Sequence, residues 1–579
     1  MDKYWELKER FPKDFAVFAK EYGEITAQLL WNRNIKTKKE IENFFEANFD
    51  NALHDPFLFK NMEQAIVLTI QHIKAENKIV IYGDYDADGV TASALLVEIL
   101  RILRAEVDVY IPHRVVEGYG LNKKALETIA ADKTKLIITV DGGIRNKEEA
   151  KLAKELGMDV IITDHHLASS KKEEMPDCLI VNPILEDEVY PYKKLAGVGV
   201  AFKFASALIA HSKLEENDKF RLQKRLLDLV AIGTVADIVE LMGENRVLVK
   251  AGLKALSQTR RLGLVELLKV IKLNNNDDLD TWNIGFQIAP RLNAAGRMGR
   301  ANTAFDLLLV SDDEKAKDLA EFLNISNAKR QQLTEEISQA IDNQVDIKSK
   351  DKIIIGVCSD KQCDENKDSG QGVIGLVAGR IQNKYYLPTL VITRDENGYK
   401  GSGRSIPEFN LAKAVESCGE LLTKYGGHPM ACGFSLKAEN LDKFKSKLTG
   451  IANKALGKLD LKPKIMVEAE LKLKEIDEEI MIGLDKMAPF GASNAKPIFM
   501  TKNVEIVDIL QMGADGQHLK FRLAQNNSGT INALAFNQAS KWQSFKISDE
   551  IDIAYYLDRN EFNGKSEIQM KVVDIKNSD

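Results

Sequence analysis

Hydrophobic and polar positions follow distinct rhythms along the chain. From residue 78 to about 185, apolar runs of strand length alternate with amphipathic helical stretches: KIVIYG, VTASALLVEILRILR, EVDVYIP, KLIITV, NKEEAKLAKELG, DVIIT and CLIVNP. This alternation predicts an α/β domain, a parallel sheet with helices on both faces, because each parallel strand is reached by a crossover. In such sheets ligands bind beyond the carboxyl ends of the strands. The segment from Asp312 to Ile347 lacks Gly and Pro and predicts one long connecting helix, although its apolar positions would also suit a peripheral helix. A second α/β rhythm begins at KIIIGV. Beyond residue 460, short period-two segments (NVEIVDIL, HLKFRLA, INALAF, EIDIAYYL, EIQMKVVDI) predict a small β-barrel, with the OB-fold as one candidate. Residues 1–45 read as polar helices in which Trp5, Phe11, Phe15 and Phe18 are spaced to cover a neighbouring core. The expected organisation is an N-terminal helical segment (1–45), an α/β domain (46–311), a connecting helix (312–347), a smaller α/β domain (348–460) and a β-barrel (461–579).

At 579 residues the chain is too long for one core, and 44% hydrophobic with 29% charged residues is ordinary globular usage, which argues against a disordered or fibrous protein. No apolar run approaches the roughly 20 residues needed to cross a bilayer, so a membrane-spanning role is not expected. The opening MDKYWELKER places charges where a secretory signal needs an apolar segment, and a cytoplasmic location is expected. Cys178, Cys358, Cys363, Cys418 and Cys432 form no CxxC pair and read as reduced thiols. A net charge of −6 gives no bulk attraction for nucleic acid, so any polyanion site must be locally basic.

Candidate chemistry sits at the predicted strand ends. In IVIYGDYDADGVTA, Asp84, Asp86 and Asp88 fall between a strand and a helix. Three like charges this close persist in a solvated turn or around a cation, and oxygen-only clusters suit hard divalent metals. EF-hand loops share the DxDxDG opening, but the apolar continuation VTASALLVE lacks their ligand ladder. KLIITVDGG leaves Asp141 at the tip of one apolar strand, and DVIITDHH leaves Asp164, His165 and His166 at another. Adjacent histidines also occur in plain polar turns. In LLDLVAIGTVADIVEL, Asp237 lies in an almost wholly apolar segment where an unpaired carboxylate is costly, so it reads as a buried cap or, better, a metal ligand. Together these residues offer ligands for two divalent ions, and the imidazoles suit manganese at least as well as magnesium. Two such ions suit phosphodiester hydrolysis without a protein nucleophile. No GxSxG elbow, no P-loop and no GxGxxG after the first strand offers a competing chemistry.

In order, DYDADG, VDGG, the DHH triplet and VAD resemble the four motifs of the DHH phosphoesterase superfamily. IAPRLNAAGRM, GVIGLVAGR, GSGRS, GGHPMACGF and LDKMAPFGASNAKPIF extend the similarity over most of the chain from residue 50 onward. The ordered set resembles the RecJ family within that superfamily, bacterial single-strand-specific 5′ to 3′ DNA exonucleases. The resemblance implies a DHH domain, a long helix, a DHHA1 domain and a C-terminal OB-fold, with the active cleft between the first two globular parts. By motif position, Asp86, Asp88, Asp141, His165 and Asp237 match the family's metal ligands, and Asp84 and His166 bind the second ion or assist it. Small-substrate relatives carry a histidine four residues before the first of these aspartates; here that position is Tyr82, as in other RecJ-like sequences.

The same transfer assigns Arg114, Ser402 and Arg404 to the terminal 5′ phosphate and Arg291, Asn293 and Arg297 to the scissile or adjacent phosphates. It makes His428 a substrate contact near the metals. Taken alone, each arginine reads as a surface ion pair and GGH as a turn. The barrel would supply a single-strand platform, with Phe490, Phe521, Phe536 and Trp542 as candidates either for stacking or for its core. The implied function is hydrolysis of single-stranded DNA from the 5′ end to 5′ mononucleotides, dependent on two Mn2+ or Mg2+ ions, in repair and recombination. A single-stranded-DNA-binding protein and a helicase are the implied partners. Two rivals are a phosphodiesterase on short oligonucleotides or cyclic dinucleotides, which normally lacks the extra barrel, and an inactive replication scaffold, against which every acidic motif is retained.

Overall fold

A computed structural model describes residues 3–114, 116–169, 171–274, 277–298, 301–346, 348–358, 367–395, 398–526, 529–562 and 565–578; Cys363 lies outside them. The chain forms two compact units, one of residues 48–239 and 244–461 and one of residues 1–47, 240–243 and 462–579.

In the larger unit, β1 (Ile79–Tyr82), β2 (Val107–Tyr110), β3 (Leu136–Val140), β4 (Asp159–Thr163) and β5 (Leu179–Val181) form an all-parallel sheet in the order β2-β1-β3-β4-β5. The β1, β3 and β4 runs are apolar on both faces because both faces are covered. One face packs on α1 (Ala87–Ile102), α2 (Gly197–His211) and α3 (Glu216–Ala236), the other on a smaller cluster that includes Leu126, Ile129 and Ala153. Helix α1 is buried from Ala87 to Leu100, which is why its sequence is apolar on nearly every side. The chain leaves β1 towards β2 and returns to place β3 on the other side of β1, so the strand order reverses between β1 and β3. A crevice opens at such a reversal, beyond the carboxyl ends of the strands.

The helix expected between the domains is a 30-residue helix, α5 (Asp313–Asp342), which follows α4 (Ala289–Arg297). Ala320 and Leu323 of α5 enter the first core, whereas Ile337 and Ile341 enter a second one with Val373, Ile374 and Val377 of α6 (Lys367–Tyr385). It is therefore a shared spine rather than a peripheral helix. The second sheet is mixed: β6 (Ile354–Val357) pairs in parallel with β7 (Thr389–Asp395), and β8 (Gly398–Arg404), β10 (Ala431–Leu436) and β9 (Lys424–His428) continue it antiparallel in that order.

In the smaller unit, β11 (Phe499–Met512), β12 (His518–Ala524), β13 (Ile531–Ala535), β14 (Glu550–Phe562) and β15 (Lys565–Asn577) close into a ring in the order β11-β12-β13-β15-β14, with β14 pairing back to β11. Only β13 and β15 run parallel within that ring, and closure removes the exposed edges. Helices Ala16–Tyr22, Glu24–Asn32 and Lys38–Phe45 share the barrel's core: Phe11, Phe15, Leu29 and Leu30 cluster with Leu484, Phe499 and Tyr555. Strand Tyr4–Leu7 pairs in parallel with Lys464–Val467. The core that the N-terminal aromatics cover thus belongs to the other end of the chain, a long-range pairing with no local signature. Of the four aromatic candidates, Phe521 and Trp542 are buried and Phe490 is partly buried against the same core. Phe536 alone is exposed, edge-on to His518 at 5.4 Å. Cys178, Cys418 and Cys432 are free thiols.

Candidate metal centre and phosphate cleft

Asp84 to Asp88 follow β1, Asp141 follows β3 and the DHH triplet follows β4, so three carboxyl-terminal strand ends deliver them to the crevice. Asp86 caps α1: its Oδ1 accepts from the N–H groups of Asp88 (3.0 Å) and Gly89 (3.1 Å), which satisfies orphan donors of the first turn. Asp88 is fully buried, and its two oxygens accept from Gly197 N (2.7 Å) and Val198 N (2.8 Å) at the start of α2. A second helix N-terminus thereby aims and partly neutralises this carboxylate. Asp141 adopts φ +56°, a left-handed conformation that is strained for a non-glycine residue and turns the side chain from the strand end into the site. Asp237 is the C-cap residue of α3.

His165 is the centre of the cluster. Its Nε2 lies 3.1 Å from Asp141 Oδ1, 3.6 Å from Asp237 Oδ2 and 3.9 Å from Asp88 Oδ2. The ring also hydrogen-bonds the backbone of Leu195, the kind of outer contact that orients a metal-binding imidazole. Burial, and then the neighbouring His166, depress its pKa to about 4, so the ring is neutral at pH 7 and free to ligate. His166 behaves differently. Its Nδ1 sits 2.8 Å from Asp164 Oδ1 and 3.0 Å from the Tyr119 hydroxyl. Burial opposes its charged form, but the Asp164 hydrogen bond and the charges of Asp164, Asp88 and Asp86 together raise its pKa.

Three groups of side chains each present ligand atoms within 4.8 Å of one another: Asp88, His165 and Asp237; Asp84, Asp86 and Asp141; and Asp141, His165 and His166. Asp141 and His165 each belong to two of them. The donors are carboxylate oxygen and imidazole nitrogen, a set that suits Mn2+ or Mg2+. Asp84 Oδ1 is buried without a hydrogen-bond partner, an acceptor that a cation would satisfy. Burial first, and then mutual repulsion, raises the carboxyls of Asp84 and Asp141, that of Asp88 to about 7 and that of Asp237 to about 9. Positive charge in their midst relieves this, so the residues fit two divalent ions. Adding Mn2+ to chelator-treated protein should accordingly raise Tm. One ion at a hundredfold its Kd contributes about 2.7 kcal/mol. An unchanged melting curve over a manganese titration would count against these ligands.

Tyr82 does not replace the missing histidine. It is buried in the opposite face of the sheet, where its hydroxyl donates to Gly120 O (3.1 Å) and accepts from Asn122 (3.0 Å). Asp164 was legible in the sequence only as part of the triplet, without a role of its own. It is fully buried and accepts from His165 N, His166 N, the His166 ring and Ile144 N. Burial opposes ionisation, but these hydrogen bonds prevail and lower its pKa. It holds the histidine loop. Tyr119, whose hydroxyl also donates to Asp141 O (3.0 Å), carried no signal beyond its place in EGYGL.

The cationic residues gather nearby. Arg114 lies over the Tyr85 ring, with 4.7 Å from Cζ to the centroid. Arg297, at the end of α4, donates to Gly372 O at the start of α6 (2.8 Å) and so links the two α/β halves. Burial, reinforced by Arg114, Arg330 and Arg404, lowers its pKa to about 9. Arg404 on β8 donates to Gly403 O and stands beside Ser402. Side chains from both halves thus converge on a cationic patch next to the aspartates that makes no ion pair among the described residues, the locally basic site that an acidic protein needs to hold a polyanion.

The other sequence candidates fall differently. Asn293 Oδ1 accepts from Ala87 N (2.8 Å) and braces the aspartate loop. Arg291 donates to Gln287 O and Asn324 Oδ1 against α5. His428 is exposed at the end of strand β9 and, among the described residues, makes no hydrogen bond or ion pair with the aspartates.

Comparison with known proteins matches this architecture. Family models match as the DHH family N-terminal domain over residues 78–234, the DHHA1 domain over 350–454 and the RecJ OB domain over 467–574. A Bacillus subtilis protein named single-stranded-DNA-specific exonuclease RecJ is 38% identical over 98% of this chain and 70% of its own length. The Haemophilus influenzae protein of the same name is 32% identical over 93% and 94%. The crystal structure of RecJ in complex with Mn2+ from Thermus thermophilus superposes with a TM-score of 0.83 at 28% identity, covering 100% of this chain and 80% of that one. A Mg2+ complex from the same source gives a TM-score of 0.77. With its motifs, its domain order and its near full-length identity all in agreement, the chain belongs to the RecJ family of single-stranded-DNA-specific exonucleases.

Proposed function

We propose that this protein hydrolyses single-stranded DNA from its 5′ end to 5′ mononucleotides, in repair and recombination, on unpaired ends that a helicase exposes and a single-strand-binding protein covers. The observation that carries the reading is the juxtaposition of the Asp141 and His165 metal cluster with arginines from both α/β halves. Asp84, Asp86, Asp88, Asp141, His165 and Asp237 hold the two ions, and His166, fixed by Asp164 and Tyr119, stands at their edge. When bound, such ions activate a water and offset the charge that develops on phosphorus. The protein's own part is placement. Arg114, Arg297, Ser402 and Arg404 grip the end of the strand so that the first internucleotide bond lies over the aspartates.

A terminal phosphate carries more charge than an internal diester, and a planar guanidinium donates two parallel hydrogen bonds to it. A pocket of several such forks therefore favours a 5′ end over mid-chain DNA. Arg404→Ala should slow digestion of 5′-phosphorylated strands about tenfold or more, in line with the loss of one charge-assisted contact worth about 1.5–3 kcal/mol, and 5′-hydroxyl strands distinctly less. Single-turnover rates on the matched pair test it. An equal fractional loss on both substrates would place end selection elsewhere. A cyclic dinucleotide offers no terminal phosphate to such a pocket, which separates this reading from a cyclic-dinucleotide phosphodiesterase.

A further inference from the structure

One exposed feature is left unexplained by the metal cluster and the arginine pocket. Immediately before α4 the chain makes a π-helical turn, Asn283–Ile288, flanked by Trp282. Ile284 and Ile288 anchor it in the core, while Trp282 is 54% and Phe286 69% exposed. The two rings lie parallel to within 23°, with centroids 5.7 Å apart. A π-turn is a rare and costly element that recurs at functional sites, and two large aromatics held in water forfeit the burial that would stabilise them. The turn packs against the last turn of α3: a Cβ at Gly285 would lie 4.0 Å from Val235, two residues before Asp237. Ile238, next to Asp237, is itself 76% exposed with φ +60°, a strained conformation for a β-branched residue.

Both signs of charge stand near these rings: Asp277, Asp278 and Asp280 precede Trp282, Asp280 Oδ1 accepting from Asn283 N (3.0 Å), while Arg291 turns towards Asn324 of α5. Arg291 donates to the carbonyl of Gln287, the residue after Phe286. Burial, and then the charge of nearby Arg291, lowers the pKa of Arg330 on α5. The Arg330 Nε is buried without a hydrogen-bond partner, its Nη2 donates to Asn327 Oδ1 (2.8 Å), and among the described residues neither arginine has an ion-pair partner. Stacked, exposed aromatics on the turn that leads into Arg291 offer flat faces to bases, and the two arginines offer donors to an anionic backbone.

We propose that Trp282 and Phe286 are a stacking platform for nucleobases of the single-stranded substrate, and that Arg291 and Arg330 hold the adjoining backbone. This rests on the reading of the protein as a single-strand exonuclease and adds to it a specific track leading away from the metal cluster. Stacking accepts any base, so the platform favours unpaired strands, whose bases are free to stack, over duplex without reading sequence.

The test is binding of an end-labelled oligonucleotide in chelator, where nothing is cleaved. Trp282→Ala with Phe286→Ala should weaken binding about tenfold or more, since a lost base–aromatic stack corresponds to roughly 1–3 kcal/mol, about 5- to 150-fold. Trp282→Phe should retain most of the affinity. Moving a single abasic site along the strand should weaken wild-type binding at one or two positions, and the double variant should show no dip there. Both side chains are exposed, so Tm should not fall, and an unchanged Tm separates lost stacking from misfolding. Should the double variant bind with wild-type affinity, or show the same abasic profile, the platform assignment is wrong and the patch is a docking face for protein. Wild-type protein that binds the strand but leaves it intact with Mn2+ would instead overturn the exonuclease reading and leave the platform to be judged by the abasic scan.

Discussion

Asp141→Ala or His165→Ala should lower turnover of single-stranded DNA by at least about a thousandfold, roughly 4 kcal/mol of activation free energy, while affinity for the strand in chelator changes little. Each of these residues belongs to two of the three ligand groups, so its loss disturbs both ions at once, whereas Asp237→Ala opens only one group. The strand is held separately, by arginines that these substitutions leave in place. Wild-type turnover by either variant at saturating Mn2+ would refute the assignment of the centre.

Gly89→Ala should be nearly as damaging although it removes no ligand. A Cβ at Gly89 would lie 2.6 to 2.7 Å from Asp84 Cβ, Cα and N, a separation that real Cβ atoms do not show. The obstacle is mostly backbone, so relief requires the first turn of α1 to move away from the end of β1, carrying Asp86 and Asp88 out of register with Asp84 and Asp141. Turnover should fall at least about a hundredfold, some 2.7 kcal/mol, because positions displaced by an ångström lose the aligned geometry that the ligands supply. The Mn2+-dependent rise in Tm should shrink in parallel. Overpacking of this kind costs about 1–3 kcal/mol of stability, which leaves the protein folded for measurement at low temperature. A variant with wild-type turnover and an undiminished manganese shift would mean that the loop relaxes without moving its carboxylates.

Much of the molecule was legible before any coordinates. Buried parallel strands must be apolar, so KIVIYG, KLIITV and DVIIT declared a sheet, and charges stranded at their ends declared a site, because a carboxylate in such a place needs a cation or a cap. Period-two segments likewise announced the barrel, whose ring closes with one parallel pairing. Local pattern carries such information because strand and helix periodicities are properties of neighbouring residues. The limits of that information appear at particular side chains. That Asn293 accepts from Ala87 N, and that Arg291 donates to Gln287 and Asn324, are contacts the motif itself does not announce. Asp164, Tyr119 and the N–H groups of Gly197 and Val198 order the metal ligands from segments whose sequence announces nothing. The N-terminal helices share a core with strands more than 400 residues away, a pairing that exists only once the chain has folded. By itself, then, the sequence determined which residue types stand at which strand ends, and hence the chemistry available, since those depend on composition and period. Tertiary structure decided which of them meet: the bridging of Asp141 and His165, the left-handed turn at Asp141, the gathering of arginines from two halves and the exposure of Trp282 and Phe286. Distances between residues remote in the chain arise from packing against a shared core, which no local pattern encodes.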